Sequence, residues 1–145
     1  MRFLILMTLF ISTNVFADIS GHWTGQGEWT YEGSGQHCFM NMSFKENQNK
    51  IERVGGSLDC DMVSLGIDSL TLTRSGKDLL DENNNIVGSY ENDTLKMTEA
   101  YSESVDIKTE IKVNGLHFDY QERWVLKTGD EIYNITGRLF TASHE

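Results

Sequence analysis

No proline occurs in the 145 residues, and no segment carries a sustained 3.6-residue apolar stripe. Amphipathic helices announce themselves by that stripe, so a helical fold is excluded. Basic residues are scarce, twelve against 22 acidic ones, for a net charge of −10. Such a surface repels phosphate backbones and anionic headgroups, which excludes nucleic acid and membrane surfaces as partners. The four histidines, His22, His37, His117 and His144, each neighbour an inward position and have no ligand spacing, so no metal site is expected. A haem held at His117 is the one cofactor reading they leave, and no cofactor is expected. Also missing are a nucleophile elbow, a Cys-His pairing and a phosphate-cradling glycine loop, so an enzyme is not expected. Glu99 and Glu122 are the one candidate carboxylate pair, with no spacing that fixes their relation.

Long apolar runs are absent too, apart from Phe3–Ile11 in "MRFLILMTLFISTNVFA". That run is too short to cross a bilayer, which takes about 20 residues. It follows Arg2 and closes on Val15-Phe16-Ala17, the pattern of a cleaved signal peptide over residues 1–17. The expected product is a single domain, residues 18–145, exported to the periplasm or the extracellular space. Loss of Arg2 with the leader leaves eleven basic residues against 22 acidic ones. No cysteine stands near the cleavage point, so a lipid anchor is not expected.

What the chain does have is strand rhythm. Runs near 21–31, 37–46, 51–60, 67–73, 77–81, 86–91, 94–101, 105–113, 116–126 and 131–140 are separated by turn chemistry such as "RSGK", "ENDT" and "VNGL". In "VDIKTEIKV" Val105, Ile107, Thr109, Ile111 and Val113 face one way and four charged residues the other. That is a sheet with one dry and one wet face. Short consecutive connections imply a meander, and a long meander closes to remove its edges. The expected fold is all-β, an antiparallel up-and-down barrel of eight to ten strands, with a two-sheet sandwich as the alternative. "DENNN" starts like a calcium loop but lacks the later glycine and acid, so it reads as a surface turn. Asn-x-Ser/Thr sequons stand at Asn41, Asn92 and Asn134.

Both cysteines are in the mature segment, and an even count in an exported chain reads as a disulfide. A hairpin centred on Asn49 puts Phe44 opposite Val54, Met42 opposite Gly56, Met40 opposite Leu58 and Cys38 opposite Cys60, a spacing that suits the bond.

"SGHWTG" at Gly21 and Trp23, together with Arg138 in "ITGRLF", resembles the lipocalin-like (calycin) barrels. The resemblance implies that Trp23 closes one end of the barrel and that Arg138 packs across its ring. "GHWTGQGEWTY" is similar to the opening of the haem-binding nitrobindin-type barrels. "SGHW…GQHC…GSLDC…GIDSLTLT" resembles the small periplasmic metalloprotease inhibitors, in which a trunk ahead of the barrel enters the protease cleft. Here that trunk is Asp18, Ile19 and Ser20.

Within "GHWTGQGEWTY", Gly25 and Gly27 are expected to let the strand coil and to leave room beside Trp23 and Trp29. The room is either a pocket or a space filled from across the barrel. "LHFDYQERWVL" places Glu122 among inward aromatics, where a carboxylate needs partners. If Lys127-Thr128-Gly129 is a three-residue loop, Glu122 faces Asn134, Tyr120 faces Thr136, and Phe118 faces an inward Arg138. A two-residue loop instead turns Tyr133, Ile135, Gly137 and Leu139 inward and pairs Asp119 with Arg138 outside. The first arrangement is favoured, since it makes a polar patch in an aromatic cavity. The expected function is non-covalent binding of a small, mostly apolar molecule by Trp29, Tyr31, Met40, Met42, Tyr120, Glu122 and Trp124. The alternative is a protein-binding inhibitor with a filled barrel.

Overall fold

The computed structural model describes residues 18–142. The signal peptide expected over residues 1–17 and His144 lie outside the described residues. Eleven strands follow in order: β1 (Gly21–Tyr31), β2 (Ser34–Glu46), β3 (Lys50–Cys60), β4 (Ser64–Ile67), β5 (Leu70–Ser75), β6 (Asp78–Leu80), β7 (Ile86–Glu91), β8 (Thr94–Ala100), β9 (Val105–Asn114), β10 (His117–Leu126) and β11 (Glu131–Thr141). All pairings are antiparallel and, apart from β3–β5, join sequential neighbours; β11 returns to β1 while β2 pairs β3, which closes the ring. This is the expected up-and-down barrel. Eleven strands appear where eight to ten were expected, because the run read near 67–73 is split into β4 and β5. β4 pairs Gly56–Asp59 of β3 and β5 pairs Lys50–Arg53 in the same register, with a gap at Asp68-Ser69.

Strand β3 opposes β2 as Cys38–Cys60, Met40–Leu58 and Met42–Gly56, and the disulfide forms with a Cα separation of 3.9 Å. Beyond Ser43 the register shifts, so Phe44 faces Arg53 and not Val54. A bulge of one residue exchanges the faces of everything after it. Val54 is therefore exposed, and Arg53 is buried inside the barrel.

The β10–β11 hairpin corrects the favoured arrangement. The three-residue turn does form, with Leu126 N–H donating to the Asp130 carbonyl at 2.8 Å and Gly129 at φ +105°. Between Trp124 and Val125, however, the partner jumps from Tyr133 to Glu131. The resulting bulge moves the hairpin into the other register. Glu122 faces Ile135, Tyr120 faces Gly137 and Phe118 faces Leu139, while Asp119 faces Arg138. Arg138 consequently stands outside the barrel.

Odd residues of β1 point inward, and the first of them, Trp23, fills one end of the barrel. Trp23 is buried, with its ring centroid 4.8 Å from Phe118, which in turn meets Phe44 edge-on at 6.1 Å. The indole Nε1 donates to the Ile19 carbonyl at 2.8 Å. Ile19 N–H donates to Glu46 Oε2 at 3.0 Å, and Glu46 N–H donates to Ser20 Oγ at 2.8 Å. The segment before β1 thus lies pinned across the closed end, and fully buried Ile19 plugs it. Burial raises the Glu46 pKa even though Ile19 N–H and Arg74 oppose the rise.

The room expected beside Gly27 is occupied. Gly27 and Gly137 face each other across β1 and β11. A Cβ on Gly27 would come within 2.6 Å of Met40 Sδ, and one on Gly137 would overlap the same sulfur. Two missing side chains make the space that one flexible thioether fills.

Candidate functional site

Opposite the closed end, the strands bring inward residues of β1, β3, β8, β9, β10 and β11 together. Trp124 pairs with Tyr133 on β11 and with Ile107 on β9, and Ile107 pairs with Glu99 on β8. Tyr133 pairs with Tyr31. Because cross-strand partners share a face, these side chains form one rim. Their rings are in contact: Tyr31–Tyr133 and Trp29–Tyr133 at 5.3 Å, Trp124–Tyr133 at 5.7 Å and Tyr101–Trp124 at 4.5 Å between centroids.

Beneath the rim lies Glu122, 8% exposed. Its Oε1 accepts from Trp124 Nε1 at 2.5 Å, and its Oε2 accepts from the Tyr120 hydroxyl. Two donors two residues either side of it on the same strand face hold the carboxylate in place. Arg53, turned inward by the β3 bulge, donates from both terminal nitrogens to Glu99, each at 3.1 Å, and its Nε donates to the Asp68 carbonyl at 2.8 Å. The split between β4 and β5 leaves that carbonyl free to accept. Tyr120 senses both groups. Burial first, then Glu122, hold its hydroxyl well above the ordinary phenol range, with Glu99 adding and Arg53 opposing. The Thr109 hydroxyl, buried opposite Glu122, has no hydrogen-bond partner among the described residues.

A cleft of about 600 Å³ opens between β5 and β8 under the 81–86 turn. Leu70, Leu72, Val87 and Met97 supply its apolar wall, and Glu99 and Asp106 its polar edge. Deeper, between Phe44, Ile51, Arg53 and Leu95, the remaining void is only about 10 Å³. That is roughly one water molecule's worth of space.

The structure groups Trp29, Tyr31 and Trp124 at the open end, with Glu122 beneath them and Tyr120 deeper, in the buried core. Met40 and Met42 are fully buried in the packed core, so the deep pocket expected around them is filled. Arg138 does not close the barrel with Trp23. It donates to Asp119 on the outer face at 2.6 Å, which holds the Asp119 carboxyl below the usual range. Trp23 closes its end with Ile19 and Phe118 instead. Sequence reasoning missed Arg53 and Tyr101, and it turned Tyr133 inward only in the arrangement it did not favour. The Gly55-Gly56 pair was the available signal for Arg53, because glycines inside a strand mark bulges.

No family model matches the chain, and no curated protein does. Among solved structures, the S-type phycobiliprotein lyase CPES from Guillardia theta superposes with a TM-score of 0.61. The match covers 88% of this chain and 90% of that one at 7% identity. The likeness is one of fold: both chains form the lipocalin-like barrel.

Proposed function

We propose that the protein is an exported carrier that holds a small, mostly apolar molecule non-covalently at the open end of its barrel. The observation that supports this is the cleft between β5 and β8, with apolar walls and the Arg53–Glu99 pair at its edge. Its volume falls in the range of small-molecule sites, about 300–1,000 Å³, and a few fixed polar groups among apolar walls are what such sites use for orientation. Trp29, Tyr31, Tyr120, Glu122 and Trp124 serve as rim and polar base, while Met40 and Met42 form the packed floor. Export agrees with the Cys38–Cys60 bond, since disulfides persist in oxidising compartments.

Native mass spectrometry on protein purified from its own source tests this reading. A bound small molecule is expected, and Met97→Trp, which fills the cleft, should release it. Empty protein from the source, combined with no uptake of the neutral dye Nile red, overturns the carrier.

The packed closed half favours a second reading, a protein-binding inhibitor. Against a trunk-type mechanism stands the pinning of Asp18–Ser20 onto the barrel end through Glu46 and Trp23. Tight one-to-one inhibition of a co-secreted protease would promote this reading over the carrier.

A further inference from the structure

The charged side chains held by hydrogen bonds beneath the rim, Arg53, Glu99 and Glu122, do not balance. Arg53 is engaged by Glu99 through both terminal nitrogens. Glu122 is held by two neutral donors, Tyr120 and Trp124, and among the described residues no cation is hydrogen-bonded or ion-paired to it. One buried negative charge is left in excess. Neutral donors keep a carboxylate in place without cancelling its charge, so its field is available to a ligand.

Above that charge stand five electron-rich rings, Trp29, Tyr31, Tyr101, Trp124 and Tyr133, in contact through Tyr133 and Trp124. Tyr101 is 63% exposed and Tyr31 45%, so the outer rings face solvent. Aromatic faces attract cations, most strongly where water is partly excluded. The chain's net charge of −10 adds a field that draws cations in and turns anions away. Leu70, Leu72, Val87 and Met97 wall the neighbouring cleft, which meets the rim at Glu99, the residue that pairs through Ile107 to Trp124.

We propose that the ligand suited to this mouth is an organic cation, an ammonium group on an alkyl or aryl body, with its head within the aromatic rim over Glu122. The proposal deepens the carrier reading and rests on it. It selects among small molecules by charge: a fatty acid of the same length meets the excess carboxylate and is repelled.

Calorimetric titration at low salt with decyltrimethylammonium, decanol and decanoate, all below their aggregation thresholds, tests it. The cation is expected to bind about tenfold more tightly than the alcohol, and the acid more weakly than either. Glu122→Gln should remove most of the cation's advantage and leave the alcohol's affinity in place. Glu91→Gln makes the same charge change on an exposed residue at the other end and should leave the ranking alone. Equal affinity for cation and alcohol, or tightest binding of decanoate, overturns the cation assignment while the carrier stands. No saturable binding of any of the three overturns both. Should Glu122→Gln fail to fold, the wild-type ranking is repeated at 0.3 M salt. An advantage that survives supports the buried charge, and one that vanishes belongs to the surface and overturns the proposal.

Discussion

Arg138 donates to Asp119 across the outside of β10 and β11, with its Nε 2.6 Å from Oδ1, on the opposite side of the sheet from Trp23. Closure of the barrel end therefore rests on the indole and what packs beneath it, and the arginine belongs to an exposed ion pair. Exposed pairs contribute little. Arg138→Ala is expected to leave the melting temperature essentially unchanged. Trp23→Ala removes a fully buried ring from Phe118 and strips the Ile19 carbonyl of its donor, and should cost about 3–5 kcal/mol. Thermal melts of the two variants distinguish these roles.

Met40 and the glycine pair should behave as a unit. Gly137→Ala meets chiefly the Met40 sulfur, the movable end of a flexible side chain. Gly27→Ala meets that sulfur and also the Thr136 carbonyl, which is fixed backbone. Overpacking of this kind costs about 1–3 kcal/mol. Adding Met40→Ala should relieve much of the Gly137→Ala penalty and little of the Gly27→Ala penalty. Double-mutant cycles from denaturant melts give the coupling, and equal coupling at both glycines would contradict the arrangement.

The Arg53–Glu99 pair is asymmetric in burial, with side chains 9% and 28% exposed. Removing one partner of a fully buried pair costs about 3–5 kcal/mol. The partial exposure of Glu99 lowers that to about 2 kcal/mol for Glu99→Gln after screening. Arg53→Met should cost less than the fully buried case as well, because Glu99 can turn toward water. Combining both changes should cost less than their sum, as read from urea midpoints.

Alkaline pH should reveal the Tyr120 phenol. Burial and Glu122 raise its folded-state pKa above the ordinary value of 10.0. Above pH 10 the unfolded chain gives up this proton while the folded chain keeps it. Stability is therefore intact below pH 10 and falls as pH rises beyond it. Tyr90, also raised by burial, contributes to the same fall. Tyr120→Phe should be less stable at neutral pH, having lost the donor to Glu122, yet show a shallower decline of melting temperature above pH 10. Parallel curves for wild type and variant would show that Tyr120 ionises freely in the fold.

Reduction of Cys38–Cys60, which closes a loop of 22-residue separation, should remove about 3 kcal/mol on the chain-entropy account. Calorimetry with and without reductant should show a lower midpoint in reductant, on the order of 10 °C.

Alternation with a period of two is written locally, one residue at a time. The faces of "VDIKTEIKV", the span of β1 and the opposition of Cys38 to Cys60 were therefore all legible in the amino-acid sequence. So was the closed ring, because short connections leave a meander little else to do with its edges. The same alternation put Trp29, Tyr31, Glu122 and Trp124 on inward faces, while their meeting at one end came from strand pairing. The bulges that place Arg53 and Arg138 were not read from the sequence, although Gly55-Gly56 marked the first. One carries Arg53 inside and the other carries Arg138 outside, and each is a one-residue slip against a neighbouring strand that reverses every face beyond it. Each bulge lies within one hairpin, yet whether the strand slips there depends on how the rest of the barrel packs against it, and the hairpin alone does not contain that. The filling of the glycine space by Met40 is of the same kind, since it depends on three strands meeting at one point. Local chemistry determined the barrel, and long-range packing decided which charges it holds within.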